Sequence, residues 1–286
     1  MRVLPFFFFF PPRLRQIRLS AAFLRATALE LAILAGHLFL YPSGIAQERR
    51  DAPAPLPEPV APIPPEASRL PTSGPDHLPV VLLHGFVDNR SVFVLLRRSL
   101  ARHGWRHLES LNYSPLTCDI RTAAELLARH VDEIRERTGH TEVDIVGHSL
   151  GGLIARYYVQ RLGGDIRVRT LVTLGTPHSG TTVAPPMSAH PIVRQMRPGS
   201  DVIEELRRPA PGCRTRFVSF WSDLDQLMLP VETACVTHQD LIVQNVRVTG
   251  IGHLALPVHP AVAAGIRQAL QTQDAAAGAS GSVSVA

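Results

Sequence analysis

The stretch Val143-Asp144-Ile145-Val146-Gly147-His148-Ser149-Leu150-Gly151-Gly152 decides how this chain is read. Its first four residues form a strand-like run, and from Leu150 to Leu162 the pattern is helical, so Ser149 stands on a turn between a strand and a helix. A serine hydroxyl is a poor nucleophile at neutral pH and must be lifted out of the sheet toward a base before it reacts. The turn that lifts it brings strand and helix so close that Gly147 and Gly151 have no room for side chains. The helix start also places free N–H groups and a positive dipole end beside Ser149, facing any negative charge that develops there.

Working outward, Val80 to Leu83 is a continuous apolar run ended by His84 and Gly85, the pattern of a strand buried on both faces. Between Asp119 and Thr138 the apolar residues Ile120, Ala123, Leu127, Val131 and Ile134 recur at spacings of three and four, and Gly139 follows as a stop. That spacing predicts an amphipathic helix. Thr170 to Leu174, Phe217 to Trp221 and Val246 to Thr249 read as further strands, and a last helix begins near Pro260. Strands alternating with helices imply right-handed crossovers and a mainly parallel sheet, with its ligand crevice at the carboxyl ends of the strands.

Chemistry at Ser149 needs three further parts. Donors for a developing oxyanion come from the backbone N–H of Leu150 and, from the loop after the first strand, that of Phe86 in His84-Gly85-Phe86. His84 itself reads as a structural histidine bonded within its loop. The base belongs on a loop after the last strand, where His253 lies in Gly250-Ile251-Gly252-His253-Leu254; His238 and His259 lack such a glycine-rich loop. The orienting carboxylate belongs after the strand ending at Trp221, where Asp223 and Asp225 compete. Asp225 is preferred because an apolar run and Pro230 follow it, whereas Asp223 is nearer the strand end.

The bulk composition agrees with a folded enzyme. The chain has 286 residues, 45% of them hydrophobic, enough for a sizeable core. Its formal charge of +5 is carried wholly by arginine, with no lysine, and no basic stripe interleaved with aromatics appears, which argues against nucleic acid as a partner. Three cysteines are too few for a disulfide scaffold and lack metal-site spacing; Cys213 and Cys235 either pair or are small buried thiols. Neither a cofactor nor an obligate protein partner is indicated.

Residues 1 to 46 read as a targeting segment, either a signal peptide or a membrane anchor: arginines, an apolar run from Ala26 to Tyr41, then small residues. The run contains Glu30 and His37 and is short for a span, which favours a cleavable signal and an exported, secreted or envelope-tethered protein. Residues 47 to 77 are a proline-rich linker, residues 78 to 271 the folded domain, and residues 272 to 286 an Ala, Gly and Ser tail expected to be disordered.

Together, the His84-to-Phe86 HGF, the Gly147-to-Gly152 GHSLGG, the Leu174-to-Gly180 LGTPHSG and the Gly250-to-Leu256 GIGHLAL resemble the motifs of bacterial lipases and esterases of the α/β-hydrolase superfamily. The third also looks like that of GPI-deacylase-type hydrolases. The resemblance covers about Pro79 to Leu270. It implies an α/β-hydrolase fold with helices on both faces of the sheet, a triad of Ser149, Asp225 and His253, an oxyanion hole from Phe86 and Leu150, and no cofactor; the metal-binding insertion of some such lipases has neither room nor ligands in this sequence. It also implies a lipid or acyl-ester substrate and a small cap over about Thr181 to Pro211. An acyltransferase or thioesterase would use the same residues.

Overall fold

The computed structural model describes residues 24–25, 27–35, 77–86, 90–111, 113, 118–184 and 188–279. The linker expected over residues 47 to 77 lies outside them except for His77, which is buried and stacked on Trp105 with ring centroids 4.0 Å apart.

A helix α1, residues 27–35, precedes the domain. The domain then runs β1 (Val80–Leu83), α2 (Val94–Arg102), β2 (Leu108–Leu111), α3 (Ile120–Thr138), β3 (Val143–His148), α4 (Leu150–Arg161), β4 (Val168–Leu174), α5 (Pro191–Gln195), α6 (Asp201–Arg207), β5 (Arg216–Ser222), β6 (Ile242–Val248) and α7 (Pro260–Ala279). The strands form one sheet of six in the order β2-β1-β3-β4-β5-β6, parallel throughout.

Alternate residues of each strand point to opposite faces, and this splits the core in two. Val81, Leu83, Ile145, Leu171 and Phe217 pack with α3, α4 and α6 on one face. Val80, Leu82, Val146, Val172 and Val218 pack with α2 and α7 on the other. The inner strands have no polar face because helices cover both sides, and β1 and β3 are buried at every position.

Helix α3 is bounded as its sequence predicts. Asp119 caps it by accepting from Thr122 N at 2.8 Å, and Gly139 ends it at φ 76°, its N–H donating to Arg135 O at 2.8 Å. Strand β6 begins at Ile242, four residues before the run that announced it, because it is the sheet edge and its residues are exposed or half-buried throughout. Strand β2 and helices α2, α5 and α6 carry no signal strong enough to single them out. The last two are short and occupy the expected cap, where Ile192, Val202, Ile203 and Leu206 are buried against the α4 side of the core.

All three cysteines are free thiols, so Cys213 and Cys235 do not pair. Burial raises the pKa of both. Helix α7 runs on to Ala279, into the segment whose composition suggested a tail; residues 280–286 lie outside the described residues.

Candidate active site

Ser149 sits at φ 52° and ψ −118° between β3 and α4. Among the described residues it is the only non-glycine with positive φ, a conformation that costs energy and persists only where its surroundings impose it. They do so here by close approach. A Cβ on Gly147 would lie 2.6 Å from Gly152 N, and one on Gly151 would lie 2.3 Å from Leu83 O. The first turn of α4 is thus pressed onto the end of β1, and Ser149 N donates to Leu174 O at the end of β4 at 2.9 Å.

The structure brings Asp225 and His253 together. His253 Nδ1 lies 2.7 Å from Asp225 Oδ2, and the two residues are 3% and 2% exposed. The other carboxylate oxygen, Oδ1, accepts from Leu227 N at 2.9 Å and Met228 N at 3.1 Å, so the carboxylate cannot turn away. Since a carboxylate accepts, the imidazole donates from Nδ1, and in the neutral ring Nε2 is then the nitrogen that carries the lone pair. Asp223, the rival, is elsewhere: its Oδ2 accepts from Arg247 Nη2 at 2.9 Å in a solvent-exposed ion pair.

Two residues that sequence reasoning did not place also shape the site. Gly175, at φ 53°, follows β4, and a Cβ there would lie 2.9 Å from both Asp225 Oδ2 and His253 Nδ1. The His148 ring, next to Ser149 in sequence, lies 4.7 Å from that of His253 between centroids, and its Nε2 hydrogen-bonds His253 O at 3.3 Å. Gly175 lies in the Leu174-to-Gly180 motif, yet only the fold shows what crowds it.

The loop after β1 is held from the far side. His84 Nδ1 bonds Gly85 O at 2.9 Å, as expected of a structural histidine. Its ring stacks on that of Tyr113, 4.6 Å between centroids and within 2° of parallel, and the Tyr113 hydroxyl donates to His84 O. Phe86, the next-but-one residue, meets the His190 ring edge-on at 5.5 Å.

The turn after β4 is fixed from beneath. Ser219 donates to Ala234 O at 2.7 Å and Thr173 donates to Ser219 at 3.0 Å, so His178 Nε2, 3.0 Å from Thr173, supplies the hydrogen there. Burial, and secondarily the nearby Arg156 charge, push the His178 pKa well below its ordinary value, leaving it neutral. Arg156, itself 2% exposed, donates to His178 O and Leu206 O, each at 3.1 Å. These contacts hold the backbone of the turn after β4 in place.

Helix α1 also reaches the site. Glu30 Oε2 accepts from Leu254 N at 2.8 Å and Oε1 from Ala255 N at 2.9 Å, directly after His253, while Thr27 Oγ1 accepts from Gln226 Nε2 at 3.1 Å, directly after Asp225. Among the described residues no group of three or more His, Cys, Asp or Glu is placed to hold a metal ion.

A family model described as the alpha/beta hydrolase fold matches residues 79–199. A curated triacylglycerol lipase of Pseudarthrobacter phenanthrenivorans is 30% identical over 113 residues, 37% of this chain and 35% of that protein, so the match spans about a third of the relative. Among solved structures, lipase B of Aspergillus fumigatus has a TM-score of 0.61 at 16% identity, covering 68% of this chain and 52% of that one. The mature form of a Bacillus licheniformis lipase has a TM-score of 0.58 at 15% identity, covering 69% and 93%.

Proposed function

We propose that this chain, which has the α/β-hydrolase fold, is a serine carboxylic-ester hydrolase, a lipase or esterase that acts on lipid or acyl esters through Ser149, His253 and Asp225. The observation that carries the reading is the buried Asp225–His253 pair, 2.7 Å between Oδ2 and Nδ1, together with a serine held at φ 52° on a strand-to-helix turn whose preceding residue, His148, has its ring 4.7 Å from that of His253. The lipase named among its relatives supports the substrate class.

In the first half-reaction Nε2 of His253 takes the proton of Ser149 as Oγ bonds to the ester carbonyl carbon. The carbonyl π electrons move onto oxygen, and the backbone N–H groups of Leu150 and Phe86 receive that oxyanion. The imidazolium is stabilised by the Asp225 carboxylate. As the oxyanion collapses, the C–O bond to the alcohol breaks and His253 returns the proton to the leaving oxygen. Water then repeats the sequence on the acyl-enzyme and releases the acid. Each oxyanion donor is worth about 100-fold or more in turnover.

The arginine-bearing, apolar start of the chain supports export, with the enzyme secreted or tethered at the envelope. The test of the reaction is hydrolysis of nitrophenyl esters from acetyl to palmitoyl by the full chain and by Ser149→Ala. Turnover that vanishes in the variant is the expected result, and a long-chain or short-chain optimum separates lipase from esterase. Turnover retained in Ser149→Ala would remove the reading.

A further inference from the structure

Glu30 is the only acidic residue among the first 46, in a segment with arginines at 2, 13, 15, 18 and 25. As part of a membrane-crossing run it is costly; in the folded protein it is the anchor of a docked helix. The half-buried residues of α1 are Thr27, Glu30, Ile33 and Leu34, one stripe at helical spacing. Thr27 and Glu30 bind the loops carrying Asp225 and His253, and Ile33 packs on the α2/α7 side of the core. The approach at Gly252 is close enough that a Cβ there would lie 2.5 Å from Glu30 Cδ.

The opposite face is inverted relative to an ordinary surface helix. Ala28, Leu29, Leu31, Ala32 and Ala35 are all exposed, Leu29 at 41% and Leu31 at 62%, and Leu24 at 55% and Arg25 extend the surface. No outward residue between 27 and 35 is polar. A helix fixed by its polar side chains, with leucines outward, Arg25 beside them and four more arginines earlier in the sequence, has the chemistry of an element lying in the headgroup layer of an anionic membrane. Among the described residues no helix is long and apolar enough to cross a membrane. A second copy fits less well, since two such arginine-rich segments would repel each other.

We propose that α1 is an interfacial element: its polar face clips together the loops of Asp225 and His253, and its leucine face presents the neighbouring catalytic site to an anionic lipid surface. The proposal deepens the lipid-ester reading and rests on it for the substrate side. It requires that residues 24–35 remain on the working enzyme.

The experiment sediments the full chain with phosphatidylglycerol vesicles and with phosphatidylcholine vesicles, and repeats both with a Leu29→Asn/Leu31→Asn variant. The wild type is expected to favour phosphatidylglycerol. The variant is expected to bind at least about tenfold more weakly, from the lost burial of two leucines. Its hydrolysis of a soluble short-chain ester stays unchanged while that of a vesicle-embedded ester falls with binding. Equal binding by the two proteins, a wild-type dimer that the variant loses in place of vesicle binding, or a mature N-terminus mapped beyond residue 35 would each overturn it. Vesicle binding without serine-dependent turnover would uphold the interface and remove the hydrolase reading instead.

Discussion

Asp225 meets His253 at 2.7 Å through one carboxylate oxygen, while its other oxygen is held by the N–H groups of Leu227 and Met228. Asn at position 225 would keep the shape but offer the imidazole a neutral partner, favouring the wrong tautomer. Asp225→Asn is therefore expected to lower kcat by about 10⁴-fold. Asp223→Asn, which removes only a half-buried partner of the exposed Arg247, is expected to stay within about twofold. Steady-state kinetics on one soluble ester decide this, and equal losses would contradict the assignment.

Gly175 lets the end of β4 pass beneath that pair. Gly175→Ala is expected to push Asp225 and His253 apart and lower kcat by about 100-fold, as small misplacements in catalytic geometry do. Circular dichroism should show the fold retained. Wild-type turnover in this variant would mean that the pair shifts without cost.

Tyr113 holds the carbonyl of His84 while stacking on its ring. Tyr113→Phe keeps the stack and frees the carbonyl, so the Phe86 N–H should lose its fixed aim. The expectation is a fall in kcat of about tenfold or more with KM little changed, and a matching loss of affinity for a tetrahedral boronate inhibitor. A change in KM alone would point to substrate binding instead.

Glu205 fastens the cap: its Oε1 accepts from Arg121 Nη2 at 2.6 Å and its Oε2 from Tyr157 OH at 2.7 Å. The bond from Arg121 lowers the Glu205 pKa, with burial opposing and Tyr157 assisting. Because the folded value lies below the unfolded one, the stabilisation is complete above the ordinary carboxylate range and is lost as pH falls through the lowered value. Thermal unfolding followed against pH should show wild type losing stability on acidification more steeply than Glu205→Gln, with the variant about 1 kcal/mol less stable at neutral pH. Parallel curves would exclude this contribution.

Ser149, Leu150 and the alternation of strands and helices were legible in the sequence because local sterics dictate them: glycines at 147 and 151 have meaning only in a tight strand-to-helix turn. The same holds for β1, β3 and α3, whose runs and caps are read within a few residues. Strand β6 was announced only in its second half, since an edge strand buries too little to show a clear pattern. The sequence favoured Asp225 over Asp223 through the apolar run and Pro230 that follow it, but only the tertiary structure shows Asp225 on His253 and Asp223 on Arg247, because two residues of separation on one loop acquire different partners only once the loop is folded. It decided likewise that Gly175, Tyr113 and Glu30 bear on the site. Their partners lie tens to hundreds of residues away, and a contact at such separation leaves no local periodicity to read.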